Sequence, residues 1–256
     1  MKRYYILDEI RGITLCSMIL YHAVWDLVYI FGRNFAWYRS DFAYIWQQSI
    51  CWCFILLSGF CFSLGRKKMQ RGLIVLGAGA IVSVVTHLVM PGQSIRFGVL
   101  TMLGSSMLLL GIYEKIMKII ANRETIEYKY PIAGLVISFL FFIITRGINL
   151  HYLGFEGIRL MRLPNYLYEK GDLMTYIGFT DKDFYSTDYF SVLPWFFLFL
   201  SGYFLFHLMR KKDCLNKMEK IPSLGKNLRF LGKYSLIIYL LHQPIIYAVL
   251  LIVNKI

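Results

Sequence analysis

Seven stretches of this 256-residue chain are apolar over close to the length that a helix needs to cross a bilayer, at about 11–32, 42–64, 73–90, 97–113, 131–146, 189–209 and 234–253. A spanning helix takes roughly 20 mainly apolar residues, and in hydrocarbon every backbone N–H and C=O must find its partner within the protein. With 57% hydrophobic residues and a mean hydropathy of +0.54, the chain has too little polar surface to cover a soluble globule. The pattern predicts an all-α polytopic membrane bundle of about seven transmembrane helices, forming one domain over residues 1–256. A cleavable signal is not expected, because the first apolar run is too long, carries His22 and Asp26, and lacks a small-residue cleavage site.

The formal charge of +13 raises nucleic acid as a partner, but the charges are placed otherwise. If the first helix runs outward from the cytoplasm, nineteen of the 28 Lys and Arg fall on inner segments: Lys2, Arg3 and Arg11, "RKKMQR" at 66–71, Lys115 to Lys129, and Arg210 to Lys233. The positive-inside bias therefore puts the N-terminus in the cytoplasm and the C-terminus outside, and nucleic acid is not an expected partner. A basic inner face draws anionic lipid heads by default, with an anionic cytosolic ligand as the alternative.

Cys16, Cys51, Cys53 and Cys61 lie in expected helices and Cys214 in an inner loop, without C-x-x-C pairs, so neither disulfides nor a metal site is expected. Residues 147–188 make an extracytoplasmic loop much longer than a helix connection requires, a length usually tied to function. "FILLSGF" (54–60) and "FLFLSGY" (197–203) echo each other, and their Ser-Gly pairs suit close helix packing.

The first apolar stretch, "RGITLCSMILYHAVWDL", keeps three ionisable residues. Arg11 and His22 are eleven positions apart, almost three helical turns, so they share a face about 16 Å apart along the axis. Asp26 follows His22 at i, i+4, a spacing that lets a carboxylate meet the imidazole, fix its tautomer and raise its basicity. Such residues at membrane depth normally face a polar cavity on a proton, ion or substrate path; an interhelical hydrogen-bond knot, or an Arg reaching to lipid phosphate, accounts for them as well. In the last helix, Ser235, Tyr239 and His242 fall at i, i+4 and i+7, with His242 at about the depth of His22 and Pro244 expected to bend the helix. His87, His151 and His207 read as ordinary polar contacts.

"LDEIRGITLCSMILYH" (7–22) resembles the signature, Arg, ten residues, then His, that opens transmembrane acyltransferases of the acyltransferase-3 type. "YHAVWDL", "RFGVLTMLGSSML", "VLPWFFLFLSGYF" and "LGKYSLIIYLLHQPI" are more similar to the bacterial branch of the heparan-α-glucosaminide N-acetyltransferase catalytic-domain family. The resemblance spans nearly the whole chain. It implies an inner-membrane acetyltransferase that takes acetyl-CoA from the cytoplasm and acylates a sugar or cell-envelope glycan on the far side. By the same resemblance His22 is the general base and Arg11 a contact for coenzyme A phosphates, with Asp8 orienting that guanidinium. The animal lysosomal enzymes carry a histidine after this helix where "GRNFAWYRSD" (32–41) has none, so the base rests on the Arg, ten residues, His pattern.

Arg66, Lys67, Lys68, Arg71 and Arg229 are the further inner cations available to the cofactor. His242 or Tyr239 is expected to donate to the thioester oxygen or to position the acceptor, and Arg96, Trp195 and Ser235 are candidates for the acceptor side. The partners implied are membrane lipid, a coenzyme A thioester and a glycan acceptor, and a homo-oligomer is compatible with them. The rival from another class is a transporter with His22 and Asp26 as proton relay; a helical sensor subunit would leave the buried ionisable residues without a task. The charge bias and seven crossings predict that a reporter active only outside the cytoplasm works when fused after Ile256, and activity of a cytoplasm-only reporter there would contradict that topology.

Overall fold

In the computed structural model, which describes residues 4–122 and 128–253, seven helices are long and apolar enough to cross a membrane. They are α1 (Tyr5–Tyr29), α2 (Asp41–Phe62), α3 (Lys68–Val89), α4 (Val99–Ala121), α5 (Pro131–Thr145, its span running on to Leu150), α7 (Val192–Lys211) and α10 (Ser235–Val253). Between them lie short helices α6 (Asp172–Ile177), α8 (Cys214–Glu219) and α9 (Lys226–Lys233), with a hairpin of β1 (Tyr152–Phe155) and β2 (Ile158–Arg162). The protein is a multi-pass membrane protein. Lys2, Arg3 and Arg123, which entered the charge bias, lie outside the described residues.

Several helices outrun the apolar windows that announce them. α1 starts at Tyr5 rather than near 11, α3 at Lys68 rather than 73, and α4 continues to Ala121 rather than 113. Hydropathy falls where charges begin, but the backbone keeps its i to i−4 bonds through the interfacial turns, where Lys and Glu reach water. Segment 147–188 is likewise no plain loop, since it holds β1, β2 and α6.

The chain divides into two compact units, residues 1–57 with 212–256, and residues 58–211. In the first, α1 packs along α9 and α10. Gly12 faces the carbonyl oxygen of Leu228, and Gly232 faces that of Asp8, so neither position has room for a side chain. The close approach puts the buried Glu9 against the start of α9, where it accepts from the Leu224 N–H at 3.2 Å, the Ser223 hydroxyl at 2.5 Å and the Arg229 guanidinium at 2.7 Å. Much of the "LDEIRG" segment thus docks α9. Farther along α1, Leu15 and Met18 form a core with Ile50 of α2, against which Tyr239 packs.

In the second unit α3 pairs with α4 and α5 with α7. Small residues set the first seam: a Cβ at Gly79 would lie 2.7 Å from the Thr101 nitrogen, and one at Gly104 2.5 Å from the Leu76 nitrogen. The Ser-Gly echo does the same work. Gly59 faces the Phe199 carbonyl, and Ser201 shares a 3.0 Å hydrogen bond with Ser138. Lys68 donates to both oxygens of Glu114 at 2.8 and 2.6 Å, and the Tyr203 hydroxyl donates to the same carboxylate at 2.8 Å, joining α3, α4 and α7. Gly104→Leu should overpack the α3–α4 seam and lower stability by about 1–3 kcal/mol, seen as a fall in the thermal midpoint in detergent; an unchanged midpoint would mean that the helices do not meet there.

Candidate functional site

Two of the first unit's buried polar side chains, Asp26 and His242, lie where α1 faces α10. The His22 and His242 rings lie 4.9 Å apart between centroids at 63°, so the two histidines that matched in depth do meet. His242 is buried, and its Nδ1 lies 2.5 Å from the Tyr239 carbonyl oxygen. A carbonyl can only accept, so Nδ1 carries the proton, and in the neutral ring Nε2 holds a lone pair. That nitrogen is buried without a hydrogen-bond partner. In the neutral ring the one N–H is thus committed to the Tyr239 carbonyl, and Nε2 offers a lone pair.

Asp26 is fully buried, yet it does not make the expected bond to His22. Its Oδ1 accepts from Gln243 Nε2 at 2.6 Å, while its Oδ2 and the Gln243 Oε1 have no partner. The i, i+4 spacing brings Asp26 within reach of the imidazole, but the amide offered by the neighbouring helix takes the carboxylate. The only unpartnered atoms of this Asp–Gln pair are two acceptor oxygens, which suit a group bearing O–H or N–H donors. Gln243 was not singled out from the sequence, although it sits beside His242 in "LHQP". Tyr239 lies near His242, with rings 5.3 Å apart, whereas Ser235 is half-buried at the start of α10, about 10 Å along the axis from His242.

Toward the N-terminal end of α1, Arg11 is largely buried and lies 3.4 Å from Asp8, the pairing expected for an orienting carboxylate. Arg229 is committed to Glu9 and stacks 4.4 Å over the Tyr5 ring, which removes it from the free cations.

In the second unit a basin of about 670 Å³ opens among Arg66, Lys67, Lys68, Lys115 and Lys118, with Glu114 and Ser63 on its wall. Lys68 is neutralised by Glu114, and the arrangement recasts it as the basin's strut. Arg66, Lys67, Lys115 and Lys118 make no ion pair among the described residues, so they give the basin a net positive field. In the sequence Lys115 and Lys118 read as inner-loop charges, and their i, i+3 spacing beside Glu114 is the signal that sets them on one face. Arg71 is exposed and turns its guanidinium toward Gly65.

Arg96 is held through Asp172 at 2.6 Å and lies 5.1 Å over Phe184, half-exposed at the edge of segment 147–188. Trp195 is only 4% exposed, packed by Phe142 and Phe190 with the Arg146 guanidinium 4.8 Å from its ring centre. It offers no open face to a sugar ring unless that guanidinium leaves. His151 stacks at 3.6 Å on Tyr168, whose phenol is pushed up to about 12 by burial. His207 meets Ser63 at 3.4 Å and the Tyr203 ring at 4.5 Å, as a packed polar contact.

A protein-family model described as "Heparan-alpha-glucosaminide N-acetyltransferase, catalytic" matches residues 3–244. Comparison with curated proteins found no match, and comparison with solved structures found none.

At the end of segment 147–188, Asp188 accepts from the Val99 N–H at 3.4 Å, but burial dominates and raises its carboxyl from 3.8 to about 6. A raised carboxyl favours the protonated fold, so its contribution is complete below about pH 4 and is lost as pH rises through about 6. Asp188→Asn should therefore stabilise the protein at pH 7.5 by up to about 2–3 kcal/mol, with little difference at pH 4; thermal melts of both proteins at the two pH values check it.

Proposed function

The chain belongs to the heparan-α-glucosaminide N-acetyltransferase catalytic family, and from that premise we propose that it moves an acetyl group from cytoplasmic acetyl-CoA to an amine or hydroxyl of a sugar or cell-envelope glycan across the inner (plasma) membrane. The observation that carries the reading beyond family membership is the pair of facing imidazoles, His22 and His242, in a cluster with buried unpartnered acceptor atoms.

An acyl transfer needs a base to take the proton of the attacking amine or hydroxyl while the thioester carbon is attacked, and the proton then passes to the departing thiolate. His22 is the general base of this reading. The His242 Nε2 lone pair is close enough to share the work, which a ring committed to donating would not do. Asp26 acts here through Gln243 rather than through His22: its free Oδ2 and the Gln243 Oε1 hold the acceptor's donors. Tyr239 supplies the remaining hydroxyl beside the pair and is the candidate for the developing oxyanion.

Coenzyme A brings phosphates, and two cation sets compete for them. The family motif favours Arg11, whose guanidinium grips phosphate bidentately. The basin favours Arg66, Lys67, Lys115 and Lys118, because these cations are not neutralised by neighbours among the described residues. Arg71 belongs with either set only as an outlying charge.

The test is turnover against coenzyme A affinity in the same purified variants. His22→Ala should abolish transfer with affinity nearly intact, and His242→Ala should lower transfer strongly. Arg11→Ala should weaken coenzyme A binding by about ten- to a hundredfold, as expected for loss of a charge-assisted contact worth roughly 1.5–3 kcal/mol. If Arg11→Ala leaves affinity unchanged while Lys115→Ala with Lys118→Ala weakens it, the phosphates sit in the basin. Near-normal turnover in His22→Ala would overturn the catalytic reading and favour the proton-relay transporter.

A further inference from the structure

The hairpin in segment 147–188 turns an apolar face away from the protein. β1 and β2 are antiparallel, with Leu153 opposite Met161 and Phe155 opposite Ile158, so these four side chains share one face. Tyr152 and Gly154, on the other face, are buried and carry Arg162 and Arg159 as their cross-strand partners. Regular alternation would send Ile158 and Met161 to opposite faces. The irregularity between Leu153 and Gly154 sets Leu160 out of register and returns Met161 to the side of Ile158. Ile158 is 67% exposed and Met161 55%, with Leu160 at 66% beside them.

The root of the hairpin is tied to a membrane span. The span that begins with α5 ends at Leu150, and β1 begins two residues later, at most about 7 Å farther on. A bilayer of roughly 40–45 Å has a core of about 30 Å, which leaves roughly 5–8 Å of headgroup layer on each side. The Gly147 N–H donates to the Gly154 carbonyl at 3.0 Å, Tyr152 covers Gly147, and Arg146 lies 3.8 Å from Glu156 near the turn. The turn itself takes positive φ at Glu156 and Gly157, as tight two-residue hairpins do. The hairpin therefore stands on the end of the span rather than swinging freely.

We propose that this face rests on the lipid headgroup layer, with Ile158, Met161 and Leu160 against the acyl boundary, while Arg159 and Arg162, on the opposite face of the strand, reach past its edge to lipid phosphates. An apolar strand exposed within reach of the interface has acyl chains as its adjoining apolar phase. Its two guanidiniums match the phosphate charge of that layer. Arg159 lies 5.4 Å over the Tyr152 ring, which keeps its charge at the level of the strand. The inference rests on the span and on these exposures, not on acyl transfer, so each can fail without the other.

The test uses the full-length protein in nanodiscs of phosphatidylcholine and phosphatidylglycerol, with the five native cysteines replaced and a nitroxide placed at Ile158→Cys, Met161→Cys or, as a control in the same segment, the exposed Asp183→Cys. Labels at 158 and 161 should show oxygen accessibility several-fold above that to a water-soluble nickel chelate, and the label at 183 the reverse. Water-like accessibility at both 158 and 161 would overturn the proposal. So would dipolar broadening between labels on two copies with low access to both relaxants, because a second copy would then cover the face. Arg159→Glu with Arg162→Glu should raise nickel accessibility at 161, and an unchanged value would overturn the phosphate contact.

Discussion

Hydrocarbon supplies no hydrogen bonds, and the structure follows from that lack. Backbone groups close on themselves in seven helices, and side chains that need partners must find them on a neighbouring helix. Within each unit the polar residues accordingly meet in clusters. Glu9 takes Arg229, Ser223 and the Leu224 N–H; Glu114 takes Lys68 and Tyr203; Asp26 takes Gln243. Lipid also removes the hydrophobic drive between helices, so contact depends on close approach. Gly12, Gly79, Gly104 and Gly232 lie where a neighbouring helix comes within reach of a missing side chain.

Not every cluster is satisfied equally, and the difference separates scaffold from candidate chemistry. Both oxygens of Glu9 and of Glu114 have partners, which suits charges kept for packing and for fixing α9, α3 and α7. In the α1–α10 cluster the Asp26 Oδ2, the Gln243 Oε1 and the His242 Nε2 are left over. Unpartnered buried atoms cost about 1–3 kcal/mol each, a cost that a bound acceptor would relieve. The basin cations differ in the same way from Arg229 and Lys68, which already have their carboxylates.

Much of this is legible in the sequence. The spans follow from apolar length, and the shared depth of His22 and His242 follows from the helical rise, since they lie about eleven and about eight residues from the starts of their apolar stretches. The Asp8–Arg11 pair follows from i, i+3 spacing on one helix. These are properties of a single segment, and the chain carries them in one dimension.

What the sequence by itself determined is therefore the set of membrane helices, their polar stripes and the residues that share each stripe, because periodicity and desolvation act locally. Tertiary structure decided which of those polar groups meet. Asp26 was within reach of His22 along α1, but a Gln243 amide arriving from α10 takes its Oδ1, and the Tyr239 carbonyl sets the His242 tautomer. Arg229 went to Glu9, and Trp195 went under Arg146, because packing brings those partners into contact. The hairpin face emerged only with its register, where one displaced residue moves Met161 to the side of Ile158. Partner choice among buried polar groups depends on geometry between segments, which linear spacing does not encode.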